Sequence, residues 1–220
     1  MTLAVTALVV AKAPVAGLAK TRLAAAVGDE IAADIAAAAL LDTLDAVADA
    51  PFSARVVAIT GDLELAARAR EIRSRLRDFT VIGQRGSDFG HRLANAHTDA
   101  AAAVGTAPVF QIGMDTPHLT AELLTDCAGK LAPGCAVLGP ARDGGWWSLG
   151  VFEAALAGCL TGVPMSQPDT GALTTAALRR SGVDVVIAEE LADVDTLGDV
   201  AVVRAACRPS SRFALATEGI

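Results

Sequence analysis

The sequence predicts an α/β fold, a single domain with three layers in which helices cover both faces of a mainly parallel sheet. Short β-branched runs alternate along the chain with longer stretches of helical periodicity, the pattern of consecutive βαβ units. Several runs are almost entirely apolar, as strands buried on both faces are. The composition agrees, because 53% of the 220 residues are hydrophobic and 20% are charged, which excludes a disordered chain.

Seven apolar runs are predicted strands. They cover residues 4–10, 54–60, 80–82, 109–113, 136–138, 147–151 and 183–187. Helical periods fill the gaps between them, and two of these are clearest. The first begins near Asp29 and turns Ile31, Ile35, Ala38, Leu41 and Leu44 inward. The second covers residues 62–77 and turns Leu65, Ala69, Ile72 and Leu76 inward, with five arginines on a solvated face.

Charge and cysteine content limit the partners and the compartment. The formal net charge of −7 argues against a protein that coats nucleic-acid phosphates or an anionic bilayer. The apolar run at residues 3–11 is too short to span a membrane, so we expect no membrane insertion. The four cysteines lack Cys-x-x-Cys spacing and lie in apolar or Ala-rich surroundings, so they are predicted to be buried free thiols in a reducing cytoplasm. We expect one domain over residues 1–207 and a flexible tail over 208–220; the sequence does not fix the oligomeric state.

The loop after the first predicted strand gathers cations. It turns through Pro14 and Gly17 and carries Lys12, Lys20 and Arg22 to the point where a helix is expected to begin. Because a helix N-terminus already carries partial positive charge, cations there are unfavourable unless an anion joins them, and a phosphate would be such an anion. The loop has neither the P-loop nor the Gly-x-Gly-x-x-Gly pattern. The alternative is a solvated connector.

Carboxylates at two later places could hold a divalent cation. Asp115 directly follows a predicted strand, and Gly113 permits close backbone approach. Mg²⁺ prefers one or two carboxylates together with water and phosphate oxygens, so a second acid is needed. Asp193 and Asp195 alternate on an extended stretch and point to opposite sides; we favour Asp195. Asp199 is better explained by a capping box. The alternative role for these acids is capping or turn formation.

A glycine-rich turn precedes two tryptophans. Asp143, Gly144 and Gly145 form the turn, and Trp146 and Trp147 begin the next strand. Adjacent strand residues face opposite ways, so one indole can pack in the core while the other lines a cleft; the alternative is that both only anchor the strand.

Two further segments contribute candidates. Ser87 or Asp88 is expected to cap the helix that carries Arg92, and this arginine is either a phosphate contact or a surface residue. Ser166 lies in a polar loop, residues 163–171, that we assign to an acceptor side or a lid.

Taken in order, these segments resemble the nucleotide-diphospho-sugar transferase superfamily with the GT-A fold. More narrowly, they resemble the bacterial selenodomain-associated, glycosyltransferase-like transferases, which are related to the 2-phospho-lactate guanylyltransferases. The matching motifs are Lys-x-Pro-x-x-Gly-x-x-Lys-Thr-Arg-Leu, Gly-x-Asp-x-Pro, Gly-Pro-Ala-x-Asp-Gly-Gly before an aromatic pair, and Asp-Val-Asp-Thr. The family often has tyrosines in place of the two tryptophans. It commonly has an acid where His91 stands, which weakens any acid/base role carried over to that position.

The resemblance implies an αβα GT-A, Rossmann-like fold and a site. The implied nucleotide-binding residues are Ala11, Lys12, Pro14, Gly17, Lys20, Arg22, Arg92 and Gly113. Lys20, Arg22 and Asp143 are the implied catalytic residues, and Asp115 and Asp195 the implied ligands of Mg²⁺ or Mn²⁺. The acceptor side is expected to include Gly144, Gly145, Trp146 and Ser166.

The expected activity is that of a metal-dependent, glycosyltransferase-like transferase with a nucleotide-sugar donor and a small-molecule acceptor. One alternative is a nucleotidyltransferase that joins an NTP to a small phosphorylated or sugar acceptor and releases pyrophosphate. Another is a non-catalytic nucleotide-binding protein. A Rossmann redox domain is disfavoured because the Gly-x-Gly-x-x-Gly pattern is absent.

Overall fold

The computed structural model of the protein describes residues 2–105 and 108–220, which form one seven-stranded sheet flanked by helices. The strands are β1 (Leu3–Lys12), β2 (Phe52–Thr60), β3 (Thr80–Gly83), β4 (Val109–Gly113), β5 (Cys135–Pro140), β6 (Trp146–Val151) and β7 (Asp184–Ile187). The helices are α1 (Thr21–Val27), α2 (Asp29–Asp49), α3 (Ala69–Arg75), α4 (Phe89–Val104), α5 (Ala121–Ala128), α6 (Thr170–Arg180), α7 (Leu197–Ala206) and α8 (Arg212–Ala216). Two 3₁₀ segments are Leu76–Asp78 and Ala154–Gly162.

The strand order in the sheet is β3-β2-β1-β4-β6-β5-β7. Only β6 runs against its neighbours β4 and β5; the other strand pairs are parallel. The carboxyl ends of β1 to β4 therefore meet at one edge, and β6 begins at that same edge. The predicted α/β fold with its mainly parallel sheet is confirmed, and each of the seven predicted strands is present.

An apolar cluster covers each face of the sheet, which explains why the strands have no polar side. Along β1, Val9 packs into one cluster beneath α2, α3 and α5, while Leu8 packs into the other beneath α4. A third cluster joins α1, α2, α7 and α8 through Leu23, Ile35 and Val203. The two outer helical layers are thus fixed by alternating side chains of the same strands.

The predicted helix over residues 62–77 is shorter in the structure. Arg68 adopts a left-handed backbone with φ of 50°, and α3 begins only at the next residue. The guanidinium of Arg68 donates to both carboxylate oxygens of Asp34 on α2, each at 2.7 Å. Leu65 precedes this break and is 67% exposed, so its predicted inward position is wrong. In α2, the predicted inward position of Ile31 is wrong in the same way, since that side chain is exposed.

Residues beyond Cys207 are packed against the domain. Phe213 of α8 is fully buried, and the carboxylate of Asp42 on α2 accepts from the backbone N–H groups of Arg212 and Phe213 at 3.1 and 2.8 Å. The sequence led us to expect a flexible tail over 208–220. The flexibility and the boundary stay predictions, but these contacts are ones we did not foresee.

Two smaller expectations concern thiols and membranes. All four cysteines are free, as predicted, but only Cys127 and Cys207 are buried, and Cys135 and Cys159 are partly exposed. Within residues 2–105 and 108–220, no helix has both the length and the apolar character that crossing a membrane requires.

Candidate functional site

Lys20 contacts Asp115 at the carboxyl edge of the sheet. The loop after β1 ends at Lys20, which precedes α1 with φ and ψ both at 48°, a left-handed conformation uncommon for residues other than glycine. Its Nζ lies 2.6 Å from Oδ2 of Asp115, which follows β4 by two residues. The lysine side chain is only 12% exposed. Strained backbone of this kind concentrates at functional sites.

One oxygen of Asp115 has no partner among residues 2–105 and 108–220. Its Oδ1 is buried and accepts no hydrogen bond from them, although buried carboxylate oxygens are normally satisfied. While Oδ2 of Asp115 contacts Lys20, its Oδ1 is therefore available to a cation or to a hydrogen-bond donor of a ligand. In the described part of the chain, no three His, Cys, Asp or Glu side chains form a group that could hold a metal ion.

The second predicted cation meets the second predicted carboxylate. Arg22 Nη1 lies 2.8 Å from Oδ2 of Asp195, and this pair is more exposed than the pair of Lys20 with Asp115. Asp195 is held just before α7, where the backbone N–H groups of Asp195 and Thr196 donate to Asp199. Thr196 and Asp199 form the predicted capping box.

The segment around Asp195 lies against the Asp115 loop. Val194 donates its backbone N–H to the carbonyl of Asp115 at 3.1 Å. Asp193 and Asp195 flank this hydrogen bond, and their surroundings differ. Whereas Asp195 pairs with Arg22, Asp193 is half-buried among acids.

The electrostatics single out Asp193. The pKa of Asp193 is raised to about 6, chiefly by burial and then by the charge of Asp143, with a smaller contribution from Asp115, while the charge of Lys20 opposes the shift. Asp193 therefore shares the environment of Asp115 and Asp143. The sequence favours Asp195 over Asp193 as the metal ligand, and that choice stays a prediction. What favours Asp193 is its closeness to Asp115, Asp143 and Lys20, and these residues are remote from it in the sequence.

Other predicted nucleotide-binding residues lie around the same loop. Lys12 donates its Nζ to the carbonyl of Leu18 at 2.7 Å and so folds back on the loop itself. Pro14 is buried, and Gly17 has φ of 75°, as a turn requires. The carbonyl of Ala11 accepts from the Gln84 side chain at 2.7 Å.

Gln84 was missed by the sequence reasoning. It donates to the carbonyl of Ala58 at 2.9 Å as well as to Ala11, so it links the ends of β1 and β2. Gly113, also predicted at the site, ends β4; a side chain there would make only an ordinary contact with the Trp147 carbonyl.

The glycine turn has a packing role. Gly144 has φ of 87°, and a Cβ there would lie 1.8 Å from the carbonyl oxygen of Pro168. Its own carbonyl accepts from Gly171 at 2.8 Å, so the turn fixes the start of α6. Gly145 donates its N–H to Asp143 Oδ1 at 2.8 Å. These contacts account for both glycines by packing, and their predicted acceptor-side role stays a prediction.

The two tryptophans face opposite sides of the sheet, as predicted. Trp147 is buried and donates its Nε1 to the carbonyl of Glu189 at 2.9 Å. Trp146 is partly exposed and donates to Thr174 Oγ1 on α6 at 3.2 Å.

Arg92 and Ser166 lie beside the start of α4. The Arg92 guanidinium stacks over the Phe89 ring, 5.4 Å from its centroid, at the start of α4. Ser166 is near this helix start and has a left-handed backbone with φ of 59°. Asp88 caps α4 by accepting from the His91 backbone N–H at 2.9 Å, one of the two caps we proposed.

Fold and site together define a class. A structure of a Desulfovibrio desulfuricans G20 protein, provisionally assigned as a nucleotide-diphospho-sugar transferase, matches with a TM-score of 0.83 and 25% identity over 99% of this chain and 95% of that chain. By fold, the chain is a member of the nucleotide-diphospho-sugar transferase superfamily, a class of enzymes. More particularly, residues 43–167 match the family described as "Uncharacterized protein conserved in bacteria (DUF2064)", and the chain belongs to it.

More distant structures share the fold. A nucleotidyl transferase from Methanothermobacter thermautotrophicus matches with a TM-score of 0.58 and 18% identity over 91% of this chain and 96% of that one. A 4-diphosphocytidyl-2C-methyl-D-erythritol synthase matches with a TM-score of 0.58 and 15% identity over 92% and 98%. Among curated proteins, none matches this chain in sequence.

Proposed function

We propose that this protein is a metal-dependent transferase that binds the phosphates of a nucleotide-activated substrate beside Lys20 and Asp115. The observation that carries the proposal is that Lys20 contacts one oxygen of Asp115, while the other oxygen is buried and has no partner in the described part of the chain. A phosphate would replace Asp115 as the partner of the lysine, and a divalent cation would replace the lysine as the partner of Asp115. Lys20 would exchange a carboxylate for a phosphate, and Asp115 would exchange an ammonium group for a metal ion, so each would keep a partner of opposite charge.

The roles of the charged residues follow from their chemistry. Lys20 and Arg22 would neutralise the negative charge that develops on the phosphate oxygens as the leaving group departs. Asp115 with Asp195 or Asp193 would hold Mg²⁺ or Mn²⁺, which supplies charge neutralisation at the phosphate oxygens when bound. Asp195 contacts Arg22 through Oδ2, so its Oδ1 would be the oxygen offered to a cation, whereas Asp193 lies in the field of Asp115.

The transferred group distinguishes two reactions. We favour glycosyl transfer from a nucleotide sugar to a small-molecule acceptor, with a nucleoside diphosphate leaving; the assignment of the Desulfovibrio protein supports this. The second candidate is nucleotidyl transfer, with pyrophosphate leaving. It is supported by three cations, Lys12, Lys20 and Arg22, between the end of β1 and the first turn of α1, a number suited to a triphosphate.

A binding and product assay separates these reactions. Thermal unfolding is measured with each NTP and with UDP- and GDP-sugars, with and without Mg²⁺ or Mn²⁺. Ligands that stabilise the protein are then incubated with candidate acceptors, and released products are identified by mass spectrometry. Pyrophosphate indicates nucleotidyl transfer, and UDP or GDP indicates glycosyl transfer. Stabilisation by NAD, and by none of the nucleotides, would contradict the proposal.

Asp115→Asn tests the metal ligand. The substitution removes the negative charge but keeps the shape, so the metal-dependent part of the nucleotide stabilisation should disappear. Asp126→Asn is the matched control, because Asp126 is an exposed acid on α5 that pairs with Lys130 at 2.6 Å, and its response should equal that of the wild type. An unchanged response in Asp115→Asn would remove Asp115 from the site. The same measurement on Asp193→Asn and Asp195→Asn identifies the second ligand.

A further inference from the structure

Three large apolar side chains lie exposed on adjoining segments of the surface. They are Leu18 in the loop after β1, Ile31 in the first turn of α2 and Leu65 in the segment before α3, and they are 59%, 47% and 67% exposed. Single exposed apolar residues are ordinary, but a group of them on one surface indicates a place where another molecule binds. We call these three residues the apolar patch.

The loop after β1 touches both of the other segments. The carbonyl of Pro14 accepts from the backbone N–H of Ala67 at 2.9 Å, which ties the loop to the segment before α3. Further along the loop, a Cβ on Gly17 would lie 3.5 Å from the carboxylate of Asp29 at the start of α2. The loop that carries Leu18 therefore lies between the segments that carry the other two members of the apolar patch.

The start of α2 also meets the segment before α3. Arg68 ends that segment, and its guanidinium donates to both carboxylate oxygens of Asp34, each at 2.7 Å. Asp34 lies about one turn of α2 beyond Ile31, and Arg68 lies three residues beyond Leu65. The three segments thus form one continuous surface, and the apolar patch belongs to it.

Charges of opposite sign flank the apolar patch. Asp29 and Glu30 occupy the first turn of α2, and Arg70 lies in the first turn of α3. All three are exposed, and none takes part in an ion pair within residues 2–105 and 108–220. Because α3 begins beside Asp34, further along α2 than Ile31, the acids and the arginine lie on opposite sides of the patch.

The same charges disfavour a lipid bilayer as the occupant. Among the described residues around the apolar patch, the exposed acids outside ion pairs are Asp29, Glu30 and Asp62, against the single cation Arg70. The whole chain carries a formal charge of −7. Anionic headgroups would be repelled by this surface. A protein surface that offers an arginine to the acids and an acid to the arginine fits better.

We propose that the apolar patch is the contact surface of a symmetric dimer of this chain. In a two-fold contact, each surface meets a second copy of itself, so the acidic side of one protomer faces the basic side of its partner. The two apolar patches then cover each other at the centre, and Arg70 pairs at the rim with the partner's Asp29 or the partner's Glu30. The dimer does not depend on the proposed reaction, because it uses residues outside the ion pairs of the site.

A dimer of this kind would brace the loop that leads to Lys20. The Leu18 carbonyl accepts from Lys12 Nζ at 2.7 Å, and Lys20 follows Leu18 by two residues. The turn is closed by the backbone N–H groups of Leu18 and Ala19, which donate to the Val15 carbonyl at 3.0 Å each. Burial of the Leu18 side chain by a partner would therefore hold the turn that positions both lysines.

Sedimentation equilibrium of the full chain between about 1 µM and about 1 mM measures the dissociation constant of the dimer. Leu65→Ser should weaken association about tenfold, because it removes an apolar side chain from the centre of the contact. Leu65 is exposed in the single chain, so the variant should keep the thermal stability of the wild type. Leu215→Ser is the matched control, since Leu215 on α8 is also 59% exposed, and it should leave the dissociation constant unchanged.

Charge reversal tests the two-fold arrangement. Arg70→Glu and Glu30→Arg should each weaken the dimer about fivefold, because each places like charges opposite one another in both halves of the contact. In the double variant Arg70→Glu with Glu30→Arg, the facing charges are opposite again, and the dissociation constant should return to near that of the wild type. A second double variant combines Arg70→Glu with Asp29→Arg, since either acid can meet the arginine.

Four results would overturn the inference. One is that the wild type stays monomeric throughout the concentration range. Another is that Leu65→Ser associates as tightly as the wild type. The third is that neither double variant recovers the affinity that Arg70→Glu loses. The fourth is Leu65-dependent cosedimentation with phosphatidylcholine vesicles, because the apolar patch would then meet a lipid surface. A protein that dimerises as expected and binds no nucleotide contradicts only the proposed function.

Discussion

Lys20 combines a left-handed backbone with a contact to Asp115, and two substitutions separate these features. Both Lys20→Gly and Lys20→Ala remove the amine and its 2.6 Å contact with Asp115. Only glycine accepts φ of 48° without a steric cost from Cβ. We therefore expect Lys20→Gly to be more stable than Lys20→Ala by about 1 kcal/mol in the free energy of unfolding.

Urea unfolding of the two variants measures this difference. The comparison cancels the lost ion pair, so the free energy that remains reports the backbone of Lys20 alone. If Lys20→Ala proved as stable as Lys20→Gly, the left-handed conformation would carry no strain. The argument that the fold holds Lys20 in place at a cost would then fail.

The sequence could predict that Lys20, Arg22, Asp115 and Asp195 come to one edge of the sheet, but not that they form ion pairs there. Strand ends that share one sheet edge bring Lys20 and Asp115 together, and this follows from parallel topology. The choice between Asp193 and Asp195 depends instead on the turn at Asp143 and on the charge of Lys20, contacts that are remote in the chain. Period-two alternation shows that the two acids differ, but it does not show which side is buried.

At the scale of elements, the turn at Gly144 and the start of α6 form one unit. Gly144→Ala places a methyl group where the Pro168 carbonyl stands and requires an L-residue at φ of 87°. The two costs together should lower the free energy of unfolding by about 3 kcal/mol. Gly158→Ala is the matched control, because that glycine is exposed and has no neighbour within 4 Å of a new Cβ.

Thermal and urea unfolding of both glycine variants check this prediction. We expect the Gly158→Ala variant to stay within about 0.5 kcal/mol of the wild type. Equal stability of the two variants would mean that the Pro168 segment moves aside at little cost, and that the turn does not fix α6.

Strands were easier to predict than helices for a physical reason. A short run in which almost every residue is apolar is typical of a strand that is buried on both faces of a sheet, and each predicted strand is present. Helix ends depend on single residues, and the predicted helix over 62–77 fails at Arg68, whose guanidinium reaches Asp34. The amphipathic period continues through that residue without a sign of the break.

At the scale of the whole molecule, the C-terminal helix α8 packs in one cluster with α1, the helix that follows Lys20. The third apolar cluster packs Phe213 of α8 with Leu23 of α1 and Val203 of α7. Leu23 directly follows Arg22, so the C-terminal helix supports the helix that carries a predicted phosphate ligand. The Ala-rich composition near the C-terminus predicts a flexible tail. The surface on which α8 packs is formed by α1, α2 and α7, which are separate in the sequence, so the local composition does not reveal it.

Phe213→Ala tests whether the C-terminal segment belongs to the core. Phe213 is fully buried, so its truncation should lower the free energy of unfolding by about 3–5 kcal/mol in urea unfolding. Leu215→Ala, on the same helix but exposed, should change it by no more than about 0.5 kcal/mol. A chain that ends at Cys207 loses Phe213 together with the hydrogen bonds to Asp42 and should be destabilised at least as much. If residues 208–220 were instead a flexible appendage, Phe213→Ala and the truncated chain would both unfold like the wild type.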